Sequence, residues 1–106
     1  MPSISLIIAV YKNIPFLDLV FQSVEQQSFR DFEILIAEDN DSSEMKNFIA
    51  EKRETLSFDI QHHFHEDIGF RKNKILNEAV RHAKSDKLVF IDGDCMIHKH
   101  FLKNYH

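Results

Sequence analysis

Two carboxylates bracket a glycine in Asp92-Gly93-Asp94, directly after the apolar run Leu88-Val89-Phe90-Ile91. On an extended segment, side chains at i and i+2 point to the same side, so Asp92 and Asp94 form a pincer of hard oxygen donors. Donors of this kind on a short turn suit Mg²⁺ or Mn²⁺, with the remaining positions left to water and phosphate oxygens. Arg71 and Lys72 stand where an amphipathic helix begins. Cations are mildly unfavourable at a helix N-terminus, where free N–H groups and the dipole attract anions. A bound anion would account for them, and an anion beside a divalent ion points to a diphosphate. Tyr11 offers a ring on which a base can stack. Asp39, in the turn Glu38-Asp39-Asn40-Asp41, offers a carboxylate that can accept a base N–H.

Four apolar runs must position these residues. Ser5–Val10 is a short β-branched run of the kind buried on both faces of a sheet, and Phe32–Ala37 is a second. Phe58–Phe64 alternates imperfectly and reads as a third strand, and Lys87–Asp92 as a fourth. Between them lie helical stripes. Pro15 suits the start of a first helix whose Leu17, Val20, Phe21 and Val24 share a face. Asp41 and Glu44 have capping-box spacing ahead of Met45, Phe48 and Ile49. Ile75, Leu76, Ala79, Val80 and Ala83 line a third helix from about Phe70 to Lys84. His98–His106 reads as the start of a fourth helix. The order β-α-β-α-β-α-β predicts a Rossmann-like parallel sheet covered on both faces. Ligands of such sheets bind beyond the carboxyl ends of the strands, and every residue singled out above sits at one.

The bulk properties exclude several classes. A chain of 106 residues with 43% apolar and 28% charged residues fits one globular domain. A net charge of −4 announces no nucleic-acid partner. No apolar run is long enough to span a bilayer, and no signal peptide is visible. Cys95 is the single cysteine, so no internal disulfide is possible, in keeping with a cytoplasmic setting. Seven histidines include the pairs His63/His65 and His98/His100. No cysteine pair or His-Glu-x-x-His pattern accompanies them, so zinc is not expected. Only two glycines occur, Gly69 and Gly93, both beside candidate site residues, where unusual backbone angles are the expected reason.

Taken together, "SLIIAVYKN", "FEILIAEDND", "HEDIGFRKNKILN" and "FIDGDCMIH" resemble the nucleotide-binding half of GT-A glycosyltransferases of the family 2 type, chondroitin-polymerase-like donor domains in particular. The resemblance covers essentially the whole chain. It implies a sheet of order 3-2-1-4, the N-terminal half of a GT-A fold, occupying residues 1–106. It implies an inverting, Mn²⁺- or Mg²⁺-dependent enzyme that moves a hexose or N-acetylhexosamine from a UDP-sugar to a growing glycan. On this resemblance the nucleotide-binding residues are Ala9, Val10, Tyr11, Glu38, Asp39, Asp67, Arg71, Asp92 and Gly93. Ala9 and Tyr11 border the uridine, Asp39 binds the uracil N3–H, and Arg71 lies by the base or diphosphate. Asp92 contacts ribose or the metal, and Asp94 holds the metal.

The chain departs from the family in three places. Glu38-Asp39-Asn40-Asp41 replaces the frequent Asp-Asp-Gly-Ser. Glu66-Asp67-Ile68-Gly69 replaces an Asn-x-Gly, which leaves Asp67 either at the base or as a helix cap. The family's general base and acceptor site follow the Asp-x-Asp, so they are expected downstream of His106. The fourth strand is expected to be an edge that pairs in a homo-oligomer, and the intact enzyme to work in the cytoplasm, at the inner membrane face. The rival reading is a non-catalytic α/β module, receiver-like or a scaffold. A receiver places its acidic pair after strand one, where this chain has Ala9-Val10-Tyr11.

Overall fold

The computed structural model describes residues 2–56, 58–65, 72–93 and 96–105. Strands β1 (Ile4–Val10), β2 (Phe32–Glu38), β3 (Ile60–Phe64) and β4 (Leu88–Asp92) alternate with helices α1 (Ile14–Glu25), α2 (Ser43–Thr55) and α3 (Lys72–His82). All pairings are parallel and the order across the sheet is β3-β2-β1-β4, as expected. The register sets Ala9 opposite Ala37 on one side and Asp92 on the other, and Val10 opposite Glu38. The strands therefore finish level, and their last residues form one rim.

Alternation across the pleat sorts the core into two layers. One layer unites Leu6, Ile8, Ile34 and Ile36 with the α1 stripe Leu17, Val20, Phe21 and Val24 and with Met45 and Ile49 of α2. Burying each such side chain contributes about 1.5–3 kcal/mol, so this layer dominates stability. The second layer is thinner. Ile7, Leu35 and Ala37 meet Ile75 and Ala79 of α3, with Leu76, Val80 and Ala83 packed around them. α3 lies over β1, β2 and β3, and of β4 only Leu88 packs against this layer. Phe90, which belongs to this face, is left 53% exposed, whereas Val89 and Ile91 on the other face are buried.

A buried carboxylate secures the end of the sheet opposite the rim. Glu33, 1% exposed, accepts from the Ser5 hydroxyl at 2.6 Å and from the Lys84 N–H at 2.6 Å. It thereby ties the α3–β4 connection to β1 and β2.

Three local expectations are corrected. The cap of α2 is Ser42, whose hydroxyl accepts from the Met45 N–H at 3.2 Å. Asp41 instead pairs with Lys46 at 2.6 Å. β3 begins at Ile60 rather than Phe58, because Phe58 turns inward to stack on Phe32, with ring centroids 4.3 Å apart. The segment from His98 forms turns and a short 3-10 helix, Lys103–Tyr105, not an α-helix. The cause is Gln27, 2% exposed. Its amide donates to the His98 carbonyl at 2.7 Å and accepts from the Leu102 N–H at 3.0 Å. Those two groups would bond each other in an α-helix; the amide stands between them. Ile97 and Leu102 are buried as a result, over the face of β4 that carries Val89 and Ile91.

Candidate functional site

β1 anchors the rim through its last two carbonyls. The Ala9 carbonyl accepts from the Gly93 N–H at 2.7 Å, and the Val10 carbonyl accepts from the Asp39 N–H at 2.9 Å. The turns after β4 and β2 are thus hung on consecutive residues of the central strand. The chain then leaves the sheet at Tyr11, which is 54% exposed. Lys12 takes a left-handed φ of 56°, uncommon outside glycine, and its ammonium lies 5.0 Å from the Tyr11 ring centroid. Asn13 then caps α1, accepting from the Phe16 N–H.

Glu38 and Asp39 close β2 on opposite faces. Asp39 is 5% exposed and its Oδ1 accepts from His65 Nε2 at 2.5 Å. Glu38 is fully buried, and its Oε1 pairs with His62 Nε2 at 2.7 Å. The second oxygen of Glu38 has no partner among the described residues. The alternation of β3 delivers the two histidines: His62 shares a face with Phe64, and His63 and His65 share the other.

Asp92 ends β4 on the surface, in register with Ala9. A cavity of about 240 Å³ opens beside them, lined by Ala9, Leu76, Phe90, Ile91 and Asp92. Gly93 follows in a tight place. A Cβ built there would lie 3.0 Å from the Ala9 carbonyl oxygen and 3.3 Å from Val10 Cγ2. Close approach of two backbones, not a left-handed φ, is the reason for this glycine, which corrects the sequence expectation. The donor chemistry fits a hard divalent ion: an exposed carboxylate on a backbone-braced turn, with room beside it for phosphate oxygens. Among the described residues no group of three or more ligating side chains stands ready to hold a metal alone.

The structure thus brings Ala9, Tyr11, Asp39, Asp92 and Gly93 to one rim. Val10 and Glu38 belong to the same strand ends, but their side chains are buried, the first in the core and the second against His62. Asp67, Arg71, Asp94 and Gly69 lie outside the described residues. Sequence reasoning missed His62 and His65 as partners of the acids. The signal was present: adjacent acids end β2 and spaced histidines end β3.

Residues 5–105 match the family described as Glycosyl transferase family 2. The chain belongs to that family. A Campylobacter jejuni relative, named GalNAc(5)-diNAcBac-PP-undecaprenol beta-1,3-glucosyltransferase, is 23% identical over 97 residues, 89% of this chain and 30% of its own length. S. aureus TarS superposes with a TM-score of 0.80 at 22% identity, over 96% of this chain and 18% of TarS. A Pyrobaculum calidifontis mannosyltransferase, solved with GDP-Man and Mn²⁺, gives 0.78 at 19% identity, over 90% of this chain and 28% of that one. These likenesses establish the GT-A-type α/β fold. The family 2 chain spans less than a third of the length of each of these relatives. No helix among its described residues is long and apolar enough to cross a membrane.

Proposed function

We propose that residues 1–106 form the donor-nucleotide half of an inverting glycosyltransferase that uses a UDP-sugar and transfers a hexose or N-acetylhexosamine to a growing glycan. The observation that carries this reading is the double suspension from β1. Consecutive carbonyls of Ala9 and Val10 hold the Asp92-Gly93 turn and the Asp39 backbone, so a base-reading carboxylate and a diphosphate-facing carboxylate are fixed relative to one another. In this reading Asp39 accepts the uracil N3–H and the exposed ring of Tyr11 stacks on the base. Ala9 and Gly93, lacking bulk, admit the nucleotide, and Arg71 and Asp67 would act on the base or the diphosphate. Asp92 and Asp94 would hold Mn²⁺ or Mg²⁺, which when bound offsets the negative charge of the diphosphate leaving group.

The relatives support this choice by what they are described with: TarS residues 1–349 with UDP and with UDP-GlcNAc, and the mannosyltransferase with a nucleotide sugar and Mn²⁺. The lipid-linked acceptor in the name of the Campylobacter relative supports placing the intact enzyme in the cytoplasm at the inner membrane face. The general base that deprotonates the acceptor hydroxyl belongs, in this proposal, to sequence beyond residue 106. Calorimetry with UDP, in Mn²⁺ and in EDTA, tests the donor reading. Binding that depends on the ion is expected; equal binding in both buffers would remove the metal from it.

A further inference from the structure

The two carboxylates that close β2 each meet a histidine, but in different surroundings. Glu38 and His62 are shut inside, with side chains 0% and 6% exposed. Asp39 and His65 stand at the rim, with side chains 7% and 16% exposed. An ionised carboxylate can only accept, so the proton between His65 and Asp39 sits on Nε2. That N–H occupies Oδ1 of Asp39 at 2.5 Å. No hydrogen bond to Oδ2 is seen among the described residues, and the side chain keeps 7% of its surface exposed at the rim. The backbone of Asp39 is already fixed by its N–H to the Val10 carbonyl. His65 therefore removes the remaining freedom, rotation of the carboxylate about its own bond.

We infer that His65 is a positioning residue for base recognition: it holds Oδ1 of Asp39 so that Oδ2 is presented, in one orientation, to a ring N–H of a bound uracil. The inference rests on the donor reading above and deepens it. A charge-assisted bond of this kind selects a single carboxylate rotamer before the ligand arrives, and preorganisation of an acceptor strengthens binding chiefly for ligands that carry the matching donor. Uracil has a hydrogen at N3 and cytosine does not. The effect of His65 should therefore appear in the ratio of UDP to CDP affinity, a quantity that a merely structural histidine would not move.

The test compares the parent chain with Asp39→Ala, His65→Phe and His65→Gln, measuring UDP and CDP binding by calorimetry in Mn²⁺, with thermal unfolding to confirm that each is folded. His65→Phe, which keeps a ring but loses the donor, should weaken UDP by about tenfold, the worth of one hydrogen bond to a charged group, and leave CDP nearly unchanged. His65→Gln places an amide N–H near the former Nε2 and should restore the parent ratio. An unchanged ratio in His65→Phe, with Asp39→Ala abolishing the preference, overturns the role of His65 and leaves the donor reading standing. No UDP preference in the parent overturns the donor reading, and the inference with it. Proton–nitrogen spectra of the His65 ring in the ligand-free parent give a second measurement that needs no variant of His65. A proton on Nε2 that is protected from exchange, and loses that protection in Asp39→Ala, is expected. A ring protonated only at Nδ1 could not donate to Asp39 and overturns the inference.

Discussion

The Gly93 N–H reaches the Ala9 carbonyl at 2.7 Å, and a Cβ on Gly93 would crowd that carbonyl oxygen at 3.0 Å. β4 is thus drawn against β1 at the point where the acidic turn begins. In Gly93→Ala the Ala9 carbonyl and Val10 Cγ2 would each have to give way slightly to the new Cβ. Overpacking of this kind costs about 1–3 kcal/mol, and the displacement falls on Asp92. A lowered denaturant midpoint together with weaker metal-dependent UDP binding is expected. A variant as stable as the parent would mean that the turn relaxes freely.

On the proposed donor reading, base choice follows from Asp39. A buried acceptor left without its donor costs about 1–3 kcal/mol, which is roughly ten- to a hundredfold in affinity. UDP should exceed CDP by that order, and Asp39→Ala should bring the two together. Titration of both nucleotides into both proteins gives the answer, and parity in the parent would count against uracil.

Acid should weaken the fold through His63. This side chain packs on His82, with ring centroids 4.7 Å apart, and its Nε2 meets Gln61 Oε1 at 2.9 Å. Burial above all, with His82 and His62 adding to it and Glu78 opposing, holds its pKa below the ordinary 6.5. The unfolded chain then binds this proton more readily than the folded one. Stability from this residue is complete above pH 6.5 and is lost as pH falls through the lowered folded value. Denaturant midpoints at about pH 7.5 and about pH 5.5 should therefore differ less in His63→Gln than in the parent. Equal losses in the two proteins would assign the acid sensitivity elsewhere.

Gln27 offers a mutation whose cost is readable bond by bond. Gln27→Leu keeps the volume and removes an amide that satisfies Leu102 N–H, a buried donor. Leaving such a donor unpaired should cost about 1–3 kcal/mol. Hydrogen exchange should locate the loss in residues 97–105, and uniform destabilisation without faster exchange there would contradict the assignment.

Self-association through β4 is the fourth strand's expected behaviour. Among the described strands β4 pairs only with β1, and Phe90 stands exposed beside its open edge. A second copy pairing edge to edge would satisfy the backbone and cover the ring. Sedimentation over a dilution series should show a reversible dimer, and Phe90→Lys should shift it to monomer. A concentration-independent monomer would show that the edge is protected without a partner.

What could be read from the sequence depended on whether the signal was local. The α1 stripe was legible because Leu17, Val20, Phe21 and Val24 recur at the helical period, and all four are buried. The parallel sheet followed from the alternation of strands and helices, and its order from the family likeness. The α2 cap was misassigned because Asp41 and Ser42 both had plausible spacing, and the nearby ammonium of Lys46 decided between them. The acids ending β2 and the histidines at the end of β3 were visible as residue types, but which histidine meets Asp39 depends on the register between β2 and β3. That register places Glu38 opposite Phe64. Gln27 was invisible for a similar reason: its acceptor on His98 lies 71 positions further on.

That separation has a consequence for how the protein is made. As the chain leaves a ribosome, β1 emerges first and can pair with β2, but its other side stays open until Leu88–Asp92 arrives. The amide of Gln27 stays wet until residues 98–102 arrive later still. The apolar layer over α1 cannot close in stages, since Ile97 and Leu102 complete it. These residues should therefore close in one late event, once 97–102 have emerged, preceded by an interval in which a half-covered strand is exposed to any holdase that meets it.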